Sequence, residues 1–125
     1  PEDEGAAAAD RLVDRGQRRV LVVTQNDETA RRSLASFRVQ LSARGGEVIG
    51  EVVVSPDNPD YVPALQAAVA AAGGLRPDAL FLSLKAAEAR LLASQVEPAG
   101  LAGVPRVASS LILSGANLRM DVELD

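Results

Sequence analysis

Three short polar segments hold most of the side chains that could meet a ligand: Thr24-Gln25-Asn26-Asp27-Glu28, Ser83-Leu84-Lys85 and Ser109-Ser110. Hydroxyl, amide and charged groups in that mixture can hydrogen-bond a small polar solute, and the same residue types also cap helices and form turns. The candidate ligand-binding residues are Thr24, Gln25, Asn26, Asp27, Ser83, Lys85, Ser109 and Ser110. Catalysis is harder to build from them. A Ser-Lys dyad of Ser83 and Lys85 would need two groups that point differently at a strand end, and no second element supports it. Asp27-Glu28 supplies half of a receiver-type phospho-acceptor cluster, but Ser83 stands where the further Asp would be. Asp57 and Asp60 are turn carboxylates that could hold a cation only weakly. Gly45-Gly46 and Gly50 leave a helix and enter a strand, the reverse of a phosphate-binding loop, and no G-x-x-x-x-G-K-[ST] occurs.

Composition narrows the chemistry further. Among 125 residues there is no Cys, His or Trp, and the aromatics are Phe37, Tyr61 and Phe81. A disulfide, an imidazole or thiolate zinc or copper site, and a Ser-His-Asp or Cys-His apparatus are all excluded. The expectation is a non-enzymatic protein with no metal and no cofactor. Net charge is −4, from 13 basic and 17 acidic residues, with Arg18-Arg19 and Arg31-Arg32 as the dense basic pairs. A nucleic-acid binder usually shows a basic stripe with stacking aromatics, so no nucleic-acid partner is expected.

The elements that would position the polar segments alternate regularly. Residues 4–15 are Ala-rich and helical in propensity, with Gly16 at the C-cap. Val20 to Val23 is a β-branched run suited to a strand buried on both faces. Asn26 or Asp27 caps a helix whose stripe is Ala30, Leu34, Phe37 and Leu41, with Arg31, Arg38 and Arg44 facing elsewhere. Val48 to Val54 reads as an edge strand, interrupted by Gly50 and Glu51. After the turn Ser55–Pro59, Asp60 caps a helix through about Ala72, with Pro63 in its first turn. Ala79 to Ser83 is a third strand, Lys85 to Val96 a helix, and Val104 to Ser109 a fourth strand continuing apolar through Leu111-Ile112-Leu113. The order α-β-α-β-α-β-α-β with long crossovers implies a doubly wound, mostly parallel α/β sheet of about four strands with helices on both faces, a Rossmann-like lobe. Ligands of such sheets meet the loops at the carboxyl ends of the strands.

At the third and fourth strands the sequence resembles a known family. The segments are Asp78-Ala79-Leu80-Phe81-Leu82, then Ala89-Arg90-Leu91-Leu92 with Gln95, then Val104-Pro105-Arg106-Val107-Ala108-Ser109-Ser110-Leu111-Ile112-Leu113-Ser114-Gly115. They resemble the LppC/LpoA family of outer-membrane lipoprotein activators of class A penicillin-binding proteins. Pro1-Glu2-Asp3-Glu4-Gly5, the Val20 strand, and Asn26 and Glu28 agree with it. The resemblance covers nearly the whole chain; outside Val104–Gly115 it is shared with the wider type I periplasmic-binding-protein fold. It implies one lobe of a two-lobed domain, residues 1–125 being a piece of a longer protein. The implied function is that of a periplasmic regulator of peptidoglycan synthesis, binding and activating a class A penicillin-binding protein (a bifunctional peptidoglycan synthase). It would be tethered to the outer membrane by a lipid anchor outside this chain. The alternative is a solute-binding or sensory lobe for a small polar ligand such as an amino acid. Thr29 and Leu113 stand where aromatics are common in these proteins, so an aromatic wall is absent from those positions. A separated lobe would also expose an apolar patch near Leu111–Leu118 and dimerise through it.

Overall fold

Strands that are apolar at consecutive positions need cover on both sides, and the structure supplies it. The computed structural model describes residues 2–109. Its elements are α1 (Glu2–Asp14), β1 (Arg19–Gln25), α2 (Glu28–Ala43), β2 (Glu47–Val54), α3 (Val62–Ala71), β3 (Ala79–Ser83), α4 (Ala86–Ala93) and β4 (Arg106–Ala108). Among the described residues they form one four-stranded sheet in the order β2-β1-β3-β4, with every strand pair parallel. The doubly wound α/β lobe expected from the sequence is therefore present, with β2 flanking the sheet as its edge-like residues imply.

The side-chain period of two splits the sheet into two cores. Val20 and Val22 of β1, Ala79 and Phe81 of β3, and Val107 of β4 join Ala8, Leu12, Leu34, Phe37 and Leu41 of α1 and α2. The alternate residues Leu21, Val23, Leu80, Leu82 and Ala108 join Leu65, Ala89 and Leu92 of α3 and α4. Between α2 and β3, the Phe37 and Phe81 rings stack nearly parallel, with centroids 3.9 Å apart. The expected stripe of α2 is buried as read.

Two glycines set how closely layers approach. Gly5 lies where α1 crosses α2, and a Cβ there would sit 2.1 Å from the Ser33 carbonyl oxygen. Gly50 lies under α3, where a Cβ would be 2.8 Å from Leu21 Cδ1 and 3.5 Å from the Ala68 carbonyl oxygen. The β1–β2 register slips beside it, from Val20↔Val48 to Leu21↔Gly50. Polar contacts flank the α1–α2 crossing. Arg32 meets Glu2 at 2.8 Å, and Arg44 meets Asp10 and Asp14 at 2.9 Å each.

Three boundaries differ from the sequence reading. Tyr61, not Asp60, occupies the N-cap of α3, and its N–H donates to Gln95 Oε1 at 2.6 Å. Asp60 forms a local turn instead, its Oδ1 accepting from Val62 N at 3.3 Å. Helix α4 stops at Ala93 rather than Val96, where the Ser94 hydroxyl donates back to the Leu91 carbonyl and competes with continuation. Strand β4 is three residues long, beginning at Arg106 after the turn at Ala102–Gly103, although the Pro105 carbonyl already accepts from Leu80 N at 2.8 Å. The Leu111–Leu118 patch lies outside the described residues.

Gly5→Ala should destabilise the chain by about 1–3 kcal/mol through overpacking against backbone. At an ordinary helix position the same change stabilises by up to about 1 kcal/mol. Urea unfolding of the two proteins, compared by midpoint at constant m-value, gives the sign directly.

Candidate binding site

Because all strands run parallel, their carboxyl ends finish side by side. Thr24 pairs with Val53 and Ser83, and Ser109 N donates to the Leu82 carbonyl at 3.1 Å. Three hydroxyl residues, Thr24, Ser83 and Ser109, thus form a row across β1, β3 and the end of β4. All three are buried. By strand parity they share the face that carries Val22, Phe81 and Val107, under α1 and α2.

The eight candidates fall into distinct roles. Ser83 Oγ donates to the Ala30 carbonyl at 2.7 Å and fastens the start of α2 to the sheet. Gln25 Oε1 accepts from Lys85 N at 2.7 Å, tying the loop after β1 to the loop after β3. Asp27 is the N-cap of α2, its Oδ2 accepting from Ala30 N at 2.9 Å. Its other carboxylate oxygen lies 3.6 Å from the Lys85 ammonium, with the Lys85 side chain 57% exposed and that of Asp27 22%. Asn26 is exposed and accepts from Arg31 through Oδ1. Thr24 Oγ1 and Ser109 Oγ are buried with no hydrogen-bond partner among the described residues. Ser110 lies outside the described residues. The structure therefore brings Thr24, Gln25, Asn26, Asp27, Ser83, Lys85 and Ser109 to one end of the sheet, and Ser83 and Gln25 spend their polar groups on its construction.

The charges at this end are shaped by those bonds. The Ala30 N–H holds the Asp27 carboxyl below the usual aspartate range, with the nearby Lys85 charge acting in the same direction. Away from it, burial and the Glu88 charge raise the Tyr61 phenol above its ordinary value. Among the described residues no group of three or more acidic, His or Cys side chains could hold a metal ion.

A groove of about 490 Å³ opens from Thr24, Gln25 and Asn26 and runs between α2 and β2. Its walls are Arg31, Leu34, Ala35 and Arg38 from the helix and Glu51 and Val53 from the strand. The sequence reading correctly placed Arg31 and Arg38 off the apolar stripe of α2 but did not single them out, or Glu51 and Val53, as lining a groove. The separation of Arg31 and Arg38 by seven residues, two helical turns, was the available signal that they share one face. The Arg38 guanidinium pairs with Glu51 across the groove.

The profile of the family described as periplasmic binding protein matches residues 1–118. No curated protein matches the chain. Among solved structures it is similar to an ABC transporter substrate-binding protein from Sphaerobacter thermophilus, at 28% identity and a TM-score of 0.72, over 86% of this chain and 29% of that one. It is also similar to a solute-binding protein of an ABC transporter from Rhodopseudomonas palustris BisB5 in complex with 3,4-dihydroxybenzoic acid. There the identity is 25% and the TM-score 0.74, over 90% of this chain and 30% of that one. A leucine-binding protein from Thermotoga maritima shows 23% identity and a TM-score of 0.75, over 89% and 31% of the two chains. The chain thus spans under a third of the length of these three proteins.

These likenesses overturn the expectation of a regulator that activates a class A penicillin-binding protein, and with it that partner. The matched proteins are solute-binding proteins, several with small ligands in their descriptions. The resemblance was strongest at Val104–Gly115, whose described part holds buried Val104, Val107, Ala108 and Ser109. Packing a fourth strand between two helical layers requires that pattern irrespective of partner.

Asp27→Ala should cost about 1 kcal/mol at neutral pH by removing the α2 cap. The Asp27 carboxyl is depressed in the folded state, so its contribution is present above about pH 4 and is lost as pH falls through the folded value. Denaturation midpoints of the two proteins should therefore differ at pH 7 and draw closer as the pH falls below the ordinary aspartate range; a gap unchanged down to acid pH would contradict this.

Proposed function

The chain belongs to the periplasmic binding protein family, and we propose that it is one lobe of a periplasmic solute-binding protein whose ligand is a small zwitterion of the amino-acid class. The ligand lies on the carboxyl ends of β1 and β3, against the Asn26–Asp27 and Leu84–Lys85 loops. The observation that carries this reading is the pair of opposite charges at that end, the exposed Lys85 Nζ and the partly buried Asp27 Oδ1, 3.6 Å apart. A ligand carboxylate would displace Asp27 from Lys85, and a ligand ammonium would take the Asp27 oxygen not engaged by Ala30 N. Charge-assisted bonds of this kind are the strong ones, and water exclusion by an opposing lobe would strengthen them further.

The described residues favour an aliphatic over an aromatic ligand. Phe37, Phe81 and Tyr61 are all buried in the two cores, so none of them presents a ring at this end of the sheet. Solved relatives include proteins described with benzoate and as leucine-binding. Thr29, in the first turn of α2, likewise offers no ring for stacking.

Titration calorimetry of the chain with a panel of L-amino acids, and with benzoate for comparison, tests the reading. One or more aliphatic amino acids should bind more tightly than benzoate. Lys85→Met should weaken that binding tenfold or more, about the loss of one charge-assisted hydrogen bond. Asp27→Asn, which keeps a competent helix cap, should weaken it similarly. No heat with any amino acid, or binding indifferent to both substitutions, would overturn the proposal.

A further inference from the structure

The groove between α2 and β2 starts at Thr24, Gln25 and Asn26 and continues along Arg31, Leu34, Ala35 and Arg38 of the helix and Glu51 and Val53 of the strand, with neither Asp27 nor Lys85 in its lining. Its chemistry is also different. Arg31 and Arg38 project from one side of α2, two turns apart, with Leu34 and Ala35 between them and Val53 opposite. Val53 is 57% exposed, a large apolar side chain held open to solvent beside two guanidinium groups. At the inner end Thr24 lines the groove, 3% exposed, with its hydroxyl unpartnered among the described residues.

We propose that this groove is a second binding site, adjoining the strand ends at Thr24, Gln25 and Asn26 but lined by neither Asp27 nor Lys85, that takes an organic monocarboxylate with an apolar body. The carboxylate pairs with Arg38 and is reached by Arg31, and the apolar body lies on Leu34, Ala35 and Val53. Glu51 shows the chemistry already at work, since its carboxylate occupies the Arg38 guanidinium in the free groove. Both members of that pair are more than a third exposed, so exchanging one carboxylate for another costs little. The Arg31 bond to Asn26 Oδ1 uses one nitrogen and leaves further donors on the fork. Two guanidiniums against one carboxylate leave the groove net positive, which selects an anion. Its volume of about 490 Å³ falls in the range of small-molecule sites.

Octanoate is the probe, followed by amide chemical-shift changes across the chain, with octan-1-ol as the uncharged comparison. Octanoate should give saturable shifts at Leu34, Ala35 and Val53, and octan-1-ol should bind at least tenfold more weakly. Arg38→Gln should weaken octanoate about tenfold or more. Glu51→Gln, which frees Arg38, should tighten it severalfold, a change that a generally loosened fold would not produce. The shifts should persist in excess leucine, so failure of amino-acid binding at the strand ends leaves this test readable. Shifts centred on Lys85, loss of shifts in leucine, or no saturable binding would each overturn the second site; the first two would leave the proposed function standing.

Discussion

Helix α2 is fastened to strand β3 at two points, and the layout of the lobe depends on that double attachment. Phe37 stacks on Phe81, and the Ala30 carbonyl accepts from Ser83 Oγ. The two strand residues are two apart and the two helix residues seven apart, so each pair shares a face of its own element. One attachment is apolar and deep, the other a buried hydrogen bond at the helix start. Together they fix the axial position of α2, its rotation and its N-terminus. Everything polar at that end of the sheet inherits the setting. Asp27 reaches Lys85 because the cap is held there, and Arg31 and Arg38 face the edge strand because Phe37 faces the core.

The central strands were legible in the sequence because their environment is uniform. Val20 to Val23 and Ala79 to Leu82 are apolar at every position, and burial on both faces is what such runs need. The α2 stripe and its Asp27 cap were legible because they obey local rules of period and hydrogen bonding. Features that depend on two distant segments were not. Gly5 looks like a poor helix residue until α2 crosses it at the distance of a missing Cβ. Gln95 reads as part of the helix after β3, yet it lies just past the end of α4, accepts from Tyr61 N and donates to the Pro59 carbonyl at 2.7 Å, binding the loop after β2 to the segment after α4. That bond also explains why the α3 cap moved off Asp60.

For the site, residue types were a better guide than roles. Polar side chains do gather at the strand ends, but Gln25 and Ser83 are consumed in joining loop to loop and helix to sheet. A hydroxyl or amide does not announce from sequence whether its partner will be backbone or ligand. The Val104–Gly115 resemblance misled for a related reason. Its described part is a buried strand and the turn into it, and burial constrains a sequence strongly without saying what the surface meets.

The all-parallel ladder has a kinetic consequence. No two neighbouring strands can be joined by a hairpin, so every pairing closes a long loop, and the central one joins Val20 to Ala79 across most of the described chain. Loop-closure entropy is spent before any ladder bond is gained, which makes such a topology slow to fold for its size. The row Thr24, Ser83 and Ser109 exists only once β1, β3 and β4 have all docked. A binding-competent end of the sheet and a completed sheet therefore arise together, and no partly assembled lobe presents its polar row to solution.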